Sequence, residues 1–195
     1  MPFKLSEEME KKHEISKEYL VVDSEKCQGC LTCMLVCSMV HEGKENLSIA
    51  GIQVTQNAFS TYPNDLTIQQ CRQCVDPFCI EACETNAIHI DRNNRNIIRI
   101  NTSECIGCMS CIEACPFPTS MIGWDVEKKI AVKCDLCIGA KYWHKKDRQE
   151  RELACVKLCP MHAIQLVQKV RSDKKNRYAV NLRGKDWEYL GYSND

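Results

Sequence analysis

A chain of 195 residues with 26 basic and 26 acidic side chains has no charge excess to hold nucleic acid. Its longest apolar run, near residues 31–40, is too short to insert in a membrane, and its Glu- and Lys-rich start holds no apolar signal core. Sixteen cysteines are far more than a domain of this size needs for packing, so thiol chemistry organises the chain.

Residues 1–19 read as a charged helix or an N-terminal arm. Glu7, Glu8, Glu10, Glu14 and Glu18 interleave with Lys11, Lys12 and Lys17, some at i,i+4 spacing. A solvated face is the plain reading and partner contact the alternative. Residues 21–26 then predict a short strand that turns at a small polar residue into Cys27, Cys30, Cys33 and Cys37. Residues 99–104 stand at the same offset before Cys105, an internal repeat. Gly29 and Gly107 hold equivalent places, where backbone amides must come close to sulfur. Residues 34–40 predict a short helix, 49–55 a strand and 62–65 a turn.

The second cysteine group is Cys71, Cys74, Cys79 and Cys83, with its middle gap widened to four residues. Residues 88–90 and 97–100 predict a hairpin that leads into the third group, Cys105, Cys108, Cys111 and Cys115 before Pro116. Residues 121–124 and 130–132 predict another. It leads into Cys134, Cys137, Cys155 and Cys159 before Pro160, with a middle gap of seventeen residues. That gap holds Tyr142, Trp143, His144, Lys145, Lys146, Arg148 and Arg151, either a cover or a docking face. Cys83-Glu84-Thr85-Asn86-Ala87-Ile88 repeats as Cys159-Pro160-Met161-His162-Ala163-Ile164. Residues 164–170 and 178–182 suggest a last hairpin, and Trp187, Tyr189 and Tyr192 mark a tail that could wrap a partner.

The third group has bacterial ferredoxin spacing: three close thiolates for one cubane, and a fourth that points away to the other cluster of a pair. Every cysteine falls into one of the four groups, so the sixteen predict four 4Fe–4S clusters with none left over. Structural zinc gives no reason for a third thiol between two pairs, and disulfides suit secreted frameworks. With each site at about −2, the loaded chain would carry roughly −8, and folding should be linked to metal. Leu31, Val75, Phe78, Ile106, Phe117 and Ile138 are expected to exclude water. His13, His41, His89, His144 and His162 are scattered and are not expected as ligands. No Walker loop or dinucleotide fingerprint is present, so the chain reads as an electron carrier and not an enzyme by itself. No Arg-Arg pair offers twin-arginine export, and the expected location is the cytoplasm.

Over residues 20–170 these groups resemble the four-cluster iron–sulfur subunits of molybdenum and tungsten pterin enzymes, the beta-subunit type of the dimethyl sulfoxide reductase family. The resemblance implies an α+β fold with two bacterial-ferredoxin-like dicluster lobes, one nested within the other, built of short hairpins and short helices. The outer lobe would take 20–60 and 121–170, the inner lobe 61–120, and the tail 171–195. It also implies four ligand sets. Cys27, Cys30 and Cys33 go with Cys159. Cys134, Cys137 and Cys155 go with Cys37. Cys71, Cys74 and Cys79 go with Cys115. Cys105, Cys108 and Cys111 go with Cys83.

Cys37-Ser-Met-Val-His41-Glu42-Gly43 and Pro118-Thr-Ser-Met-Ile-Gly-Trp-Asp125 are similar to the small subunits of aldehyde:ferredoxin oxidoreductase-type tungsten enzymes, class II benzoyl-CoA reductase among them. Proline is missing after Cys37 and Cys83, a departure from the ferredoxin pattern. The implied partners are a larger tungsten or molybdenum pterin catalytic subunit and a further electron donor or acceptor protein. A free polyferredoxin and a zinc-organised binding module are the competing readings.

Overall fold

The computed structural model describes residues 16–62, 64–74, 76–143, 152–168 and 181–182. Most of the N-terminal arm, Val75, the basic part of the long insertion and the aromatic tail therefore lie outside the described residues.

Strand β1, Tyr19–Asp23, is buried at every position. A strand so apolar on both faces needs cover on both edges, and it lies in the middle of a three-stranded sheet. β8, Ile164–Val167, pairs with it antiparallel, setting Val22 opposite Ile164. β9, Asn181–Leu182, pairs with it parallel on the other edge. The hairpin expected from residues 164–170 and 178–182 is therefore corrected: its two strands flank β1 and do not pair with each other. The end of the arm also departs from a solvated face. Ser16 and Glu18 are buried, Glu18 pairs with Arg95, and the Lys17 backbone N–H donates to the Arg95 carbonyl.

Helix α1 is Thr32–Glu42, longer at both ends than expected, and it buries Cys33, Met34, Ser38 and Val40. β2, Ile52–Gln56, pairs antiparallel with β3, Leu66–Gln70, a strand with weak apolar alternation. Its polar end is buried too, because Gln70 Nε2 donates to the Leu20 carbonyl at 3.2 Å. β4, Ile88–Asp91, pairs antiparallel with β5, Ile97–Ile100. β6, Gly123–Asp125, pairs likewise with β7, Ile130–Val132. Three single-turn α-helices, α2 at Phe78–Glu81, α3 at Ser110–Glu113 and α4 at Ala154–Lys157, and two 3-10 turns, Leu47–Ile49 and Arg92–Asn94, complete the described residues.

The apolar side chains gather in two cores. The larger joins β1, α1, β2, β3 and β8, with Cys33, Cys137, Cys155 and Cys159 inside it. The smaller joins Ile88, Ile98, Ile122 and Ala131 around Cys111, with Cys79, Cys83 and Cys105 against it. Leu66 and Ile68 belong to the larger core, and Ile122 and Ala131 to the smaller. Among the described residues no helix is long and apolar enough to cross a membrane.

Candidate metal centres

The four cysteine loops share a backbone device. The residue just before the second cysteine is left-handed in each: Gly29 (φ 67°), Gln73 (φ 50°), Gly107 (φ 75°) and Leu136 (φ 52°). Glycine adopts this at no steric cost, whereas a side chain there costs roughly 1–2 kcal/mol. Gln73 and Leu136 are each 1% exposed, so close packing holds them in place. The third cysteines also share a position. Cys33, Cys79, Cys111 and Cys155 are each the second residue of a helix.

None of the sixteen cysteines is in a disulfide. Three cavities of nearly equal volume bring twelve of them together. One, about 340 Å³, is lined by Cys27, Cys30, Cys33 and Cys159, with Val54 and Ile164 among its walls. The second, about 330 Å³, is lined by Cys37, Cys134, Cys137 and Cys155, with Ile52 and Leu153. The third, about 350 Å³, is lined by Cys83, Cys105, Cys108 and Cys111, with Ile88 and Ile100. Cys71, Cys74, Cys79 and Cys115 form a fourth neighbourhood, since the charges of the other three all bear on Cys74.

Burial sets the electrostatics. It pushes Cys33 and Cys79 up to about 12 and Cys111 and Cys137 up to about 11, with help from neighbouring thiolates. Burial also holds Cys134 and Cys155 well above the ordinary thiol value. Thiolates so placed repel one another and are stable only around a positive core. Among the described residues no three His, Cys, Asp or Glu side chains converge to hold a single metal ion. The thiols surround a volume and not a point, which fits an inorganic cluster.

The fourth cysteine of each group accepts backbone N–H groups. Gly51 donates to Cys37 Sγ at 3.3 Å, Met121 to Cys115 Sγ at 3.3 Å and Ala163 to Cys159 Sγ at 3.4 Å. At Cys83 burial pushes the thiol up, but the N–H of Ile88 leads a set of donors that brings it below its ordinary value. Such donors favour the anionic form that a metal requires.

Sequence reasoning missed several neighbours. His41 lines the Cys37 cavity, with Nδ1 2.9 Å from the Cys37 carbonyl and Nε2 2.9 Å from Asp135 Oδ1. Burial opposes its charge, yet the hydrogen bond to Asp135 lifts it to about 11. Asp135 also accepts the Gly139 N–H at 2.7 Å. Only the residue types hinted at this pair, which is 94 positions apart. Lys133 and Gln73 lie between two of the thiol sets, both donating to the Cys134 carbonyl beside the Cys71–Cys79 group.

Two expected water-excluding residues are exposed, Phe78 at 46% and Ile106 at 65%, although Ile106 still lines the Cys83–Cys111 cavity. Leu31 and Ile138 pack against the larger core, and Phe117 lies under Arg72, 5.5 Å from ring centroid to guanidinium. In the insertion, Trp143 Nε1 donates to the Glu152 carbonyl at 2.8 Å, while Tyr142 is exposed.

The sets adjoin one another in series. The Cys33 charge bears on Cys155, Lys133 faces both Cys134 and Cys79, and the Cys111 charge bears on Cys79. Cys30 and Cys108, in the first and last sets of this series, are the two exposed cysteines.

Comparison with known proteins gives a family. A profile described as "4Fe-4S dicluster domain" matches residues 64–169. The chain is 32% identical to the Escherichia coli (strain K12) protein YsaA, over 83% of this chain and 98% of that one. It is 34% identical to the polyferredoxin-like subunit of an aliphatic sulfonate oxidoreductase from Pyrococcus furiosus, over 62% of this chain and 66% of that one. Among solved structures it is similar to a chain of the active site complex BamBC of benzoyl coenzyme A reductase. That match has a TM-score of 0.42 at 18% identity and covers 81% of this chain and 83% of the other.

Proposed function

The chain belongs to the 4Fe–4S dicluster domain family, and from that premise we propose that it is the non-catalytic electron-transfer subunit of a cytoplasmic oxidoreductase, carrying four 4Fe–4S clusters. The ligand sets we propose are Cys27, Cys30, Cys33 and Cys159; Cys134, Cys137, Cys155 and Cys37; Cys71, Cys74, Cys79 and Cys115; and Cys105, Cys108, Cys111 and Cys83. The observation that carries this reading is one arrangement repeated three times: three cysteines of one group and the fourth of another, facing a cavity of similar size. For the second set the three are Cys134, Cys137 and Cys155, despite the long insertion within their group.

A cubane held by four thiolates supplies reversible one-electron transfer and leaves no iron open to substrate. The chain's own residues do the rest. Ile52, Val54, Ile88 and Ile164 keep water from the thiols, and the N–H groups of Gly51, Met121 and Ala163 hold negative charge on sulfur. Cys30 and Cys108 are the points of exchange with partners at the two ends. The lobes we propose are residues 20–60 with 121–170, and 61–120, with Leu66 and Ile68 packing across that boundary into the larger core and Ile122 and Ala131 into the smaller.

The partner we propose is a larger tungsten or molybdenum pterin subunit, of the aldehyde oxidoreductase or class II benzoyl-CoA reductase type, with a second redox protein at the other end. The motifs at residues 37–43 and 118–125 support tungsten. Native pull-down with metal analysis tests the assignment. The chain should hold about sixteen irons and as many sulfides, four per cubane, and co-purify with a subunit containing tungsten or molybdenum. About twelve irons, or stoichiometric zinc, would overturn the four clusters. A monomer with neither metal partner would make it a free polyferredoxin.

A further inference from the structure

Lys133 stands directly after β7 and directly before Cys134. It is half-buried, and its Nζ donates to the Cys134 carbonyl at 3.0 Å and to the Ile98 carbonyl. The same ammonium reaches the Cys71 thiol and faces Cys79. Gln73, between Cys71 and Cys74, completes the seam. Its Nε2 donates to the same Cys134 carbonyl at 3.3 Å, and its Oε1 accepts the Ile98 N–H at 2.7 Å. One lysine and one glutamine thus join the start of the fourth cysteine group to the second group and to β5.

Two neutral carbonyls do not offset the cost of removing an ammonium from water. Asp135, a carboxylate that also bears on it, is already held by His41 and by the Gly139 N–H. The remaining partners are sulfur: Cys71, Cys79 and Cys134. These meet a cation well as thiolates, the form in which a metal holds them. The lysine is therefore matched to metal-bound sulfur on both of its sides.

We propose that Lys133 is a fixed cation between the Cys71–Cys115 site and the Cys134–Cys37 site, where it raises the reduction potential of both. Reduction adds one negative charge to a site that is already anionic, and a neighbouring cation stabilises the more negative state. The two middle sites of the series then accept electrons more readily than their thiol ligands alone would allow. The outer sites, with Cys30 and Cys108, come next in the series on either side. The inference rests on the ligand sets proposed above.

The test is potentiometric EPR on the anaerobic, iron-loaded chain. Signals are first assigned in chains that keep Lys133, using Cys37→Ser and Cys115→Ser, so a failure of the ligand sets shows there and nowhere else. Lys133→Met should then lower the reduced-to-oxidised ratio of the two middle sites about tenfold at fixed potential, about 59 mV for a one-electron couple. The outer sites should stay in place, and Lys133→Arg should hold the wild-type ratios. No shift in Lys133→Met, or an equal shift at all four sites, overturns the proposal. Should Lys133→Met fail to load iron, wild-type chain carrying [ε-15N]lysine decides the matter. A hyperfine coupling from a lysine Nζ to a reduced middle site is expected, and its absence overturns the proposal.

Discussion

The backbone N–H of Asp23 donates to the carbonyl of Ala163 at 2.8 Å. The bond ties the start of one cysteine loop to the segment just past the last cysteine of another. Its twin runs from the Asn101 N–H to the Ala87 carbonyl at 2.7 Å. Ile88 faces Ile100 as Ile164 faces Val22. These two pairings carry Cys159 to the Cys27 loop and Cys83 to the Cys105 loop.

Exchange of the fourth cysteine is open to direct trial. Cys37→Ser should damage the site of Cys134, Cys137 and Cys155 and spare that of Cys27, Cys30 and Cys33. Cys159→Ser should do the reverse. EPR of the reduced variants reads both outcomes, and loss of the Cys27 site in Cys37→Ser would falsify the exchange.

Gly51 has no room for a side chain. A Cβ there would lie 2.8 Å from the Cys134 N and 2.9 Å from its Cα. The Gly51 N–H also donates to Cys37 Sγ. Gly51→Ala should push the two chain segments apart at a cost of about 1–3 kcal/mol. Iron content should fall at the Cys134 site first. Full iron with an unchanged spectrum would show that the close approach has no bearing on loading.

Tyr19 gives an alkaline signature. It is 8% exposed, and burial, with the Cys74 charge, pushes its hydroxyl up from 10.0 to about 12. Below pH 10 both folded and unfolded chains keep the proton. Above it the unfolded chain loses the proton first, so stability is lost as pH rises towards 12. The loss is about 2–3 kcal/mol. Denaturant midpoints of anaerobic protein at pH 9 and pH 12 should show it. In Tyr19→Phe this part of the pH dependence should vanish; a persistent slope of the same size would assign it to another group.

Iron removal should undo the fold as well as the colour. Four cysteines sit inside the larger core and one in the smaller, with others packed against both. Without metal those thiols line open cavities. Chelation under oxidising conditions should abolish amide protection at Val21 and Ile97, both 0% exposed in the folded chain. Protection that survives complete iron loss would mean that the apolar side chains suffice.

Much of this is written along the chain. Cysteine spacing, the repeat of residues 83–88 at 159–164 and the hairpins around residues 88–100 and 123–132 are local patterns, and a short stretch with a two-residue period and a turn specifies its own pairing. Gly29 and Gly107 advertise a left-handed turn because glycine alone makes it freely.

Gln73 and Leu136 make the same turn with no such sign, since packing around them, and not their own preference, imposes it. β1 between β8 and β9, the His41–Asp135 hydrogen bond and the seam of Lys133 and Gln73 were likewise decided only in three dimensions. Each joins segments far apart in sequence, where no periodicity connects them. Spacing chose which thiols stand side by side on the chain. Long-range strand pairing and burial chose which groups meet across it, and which charge stands between them.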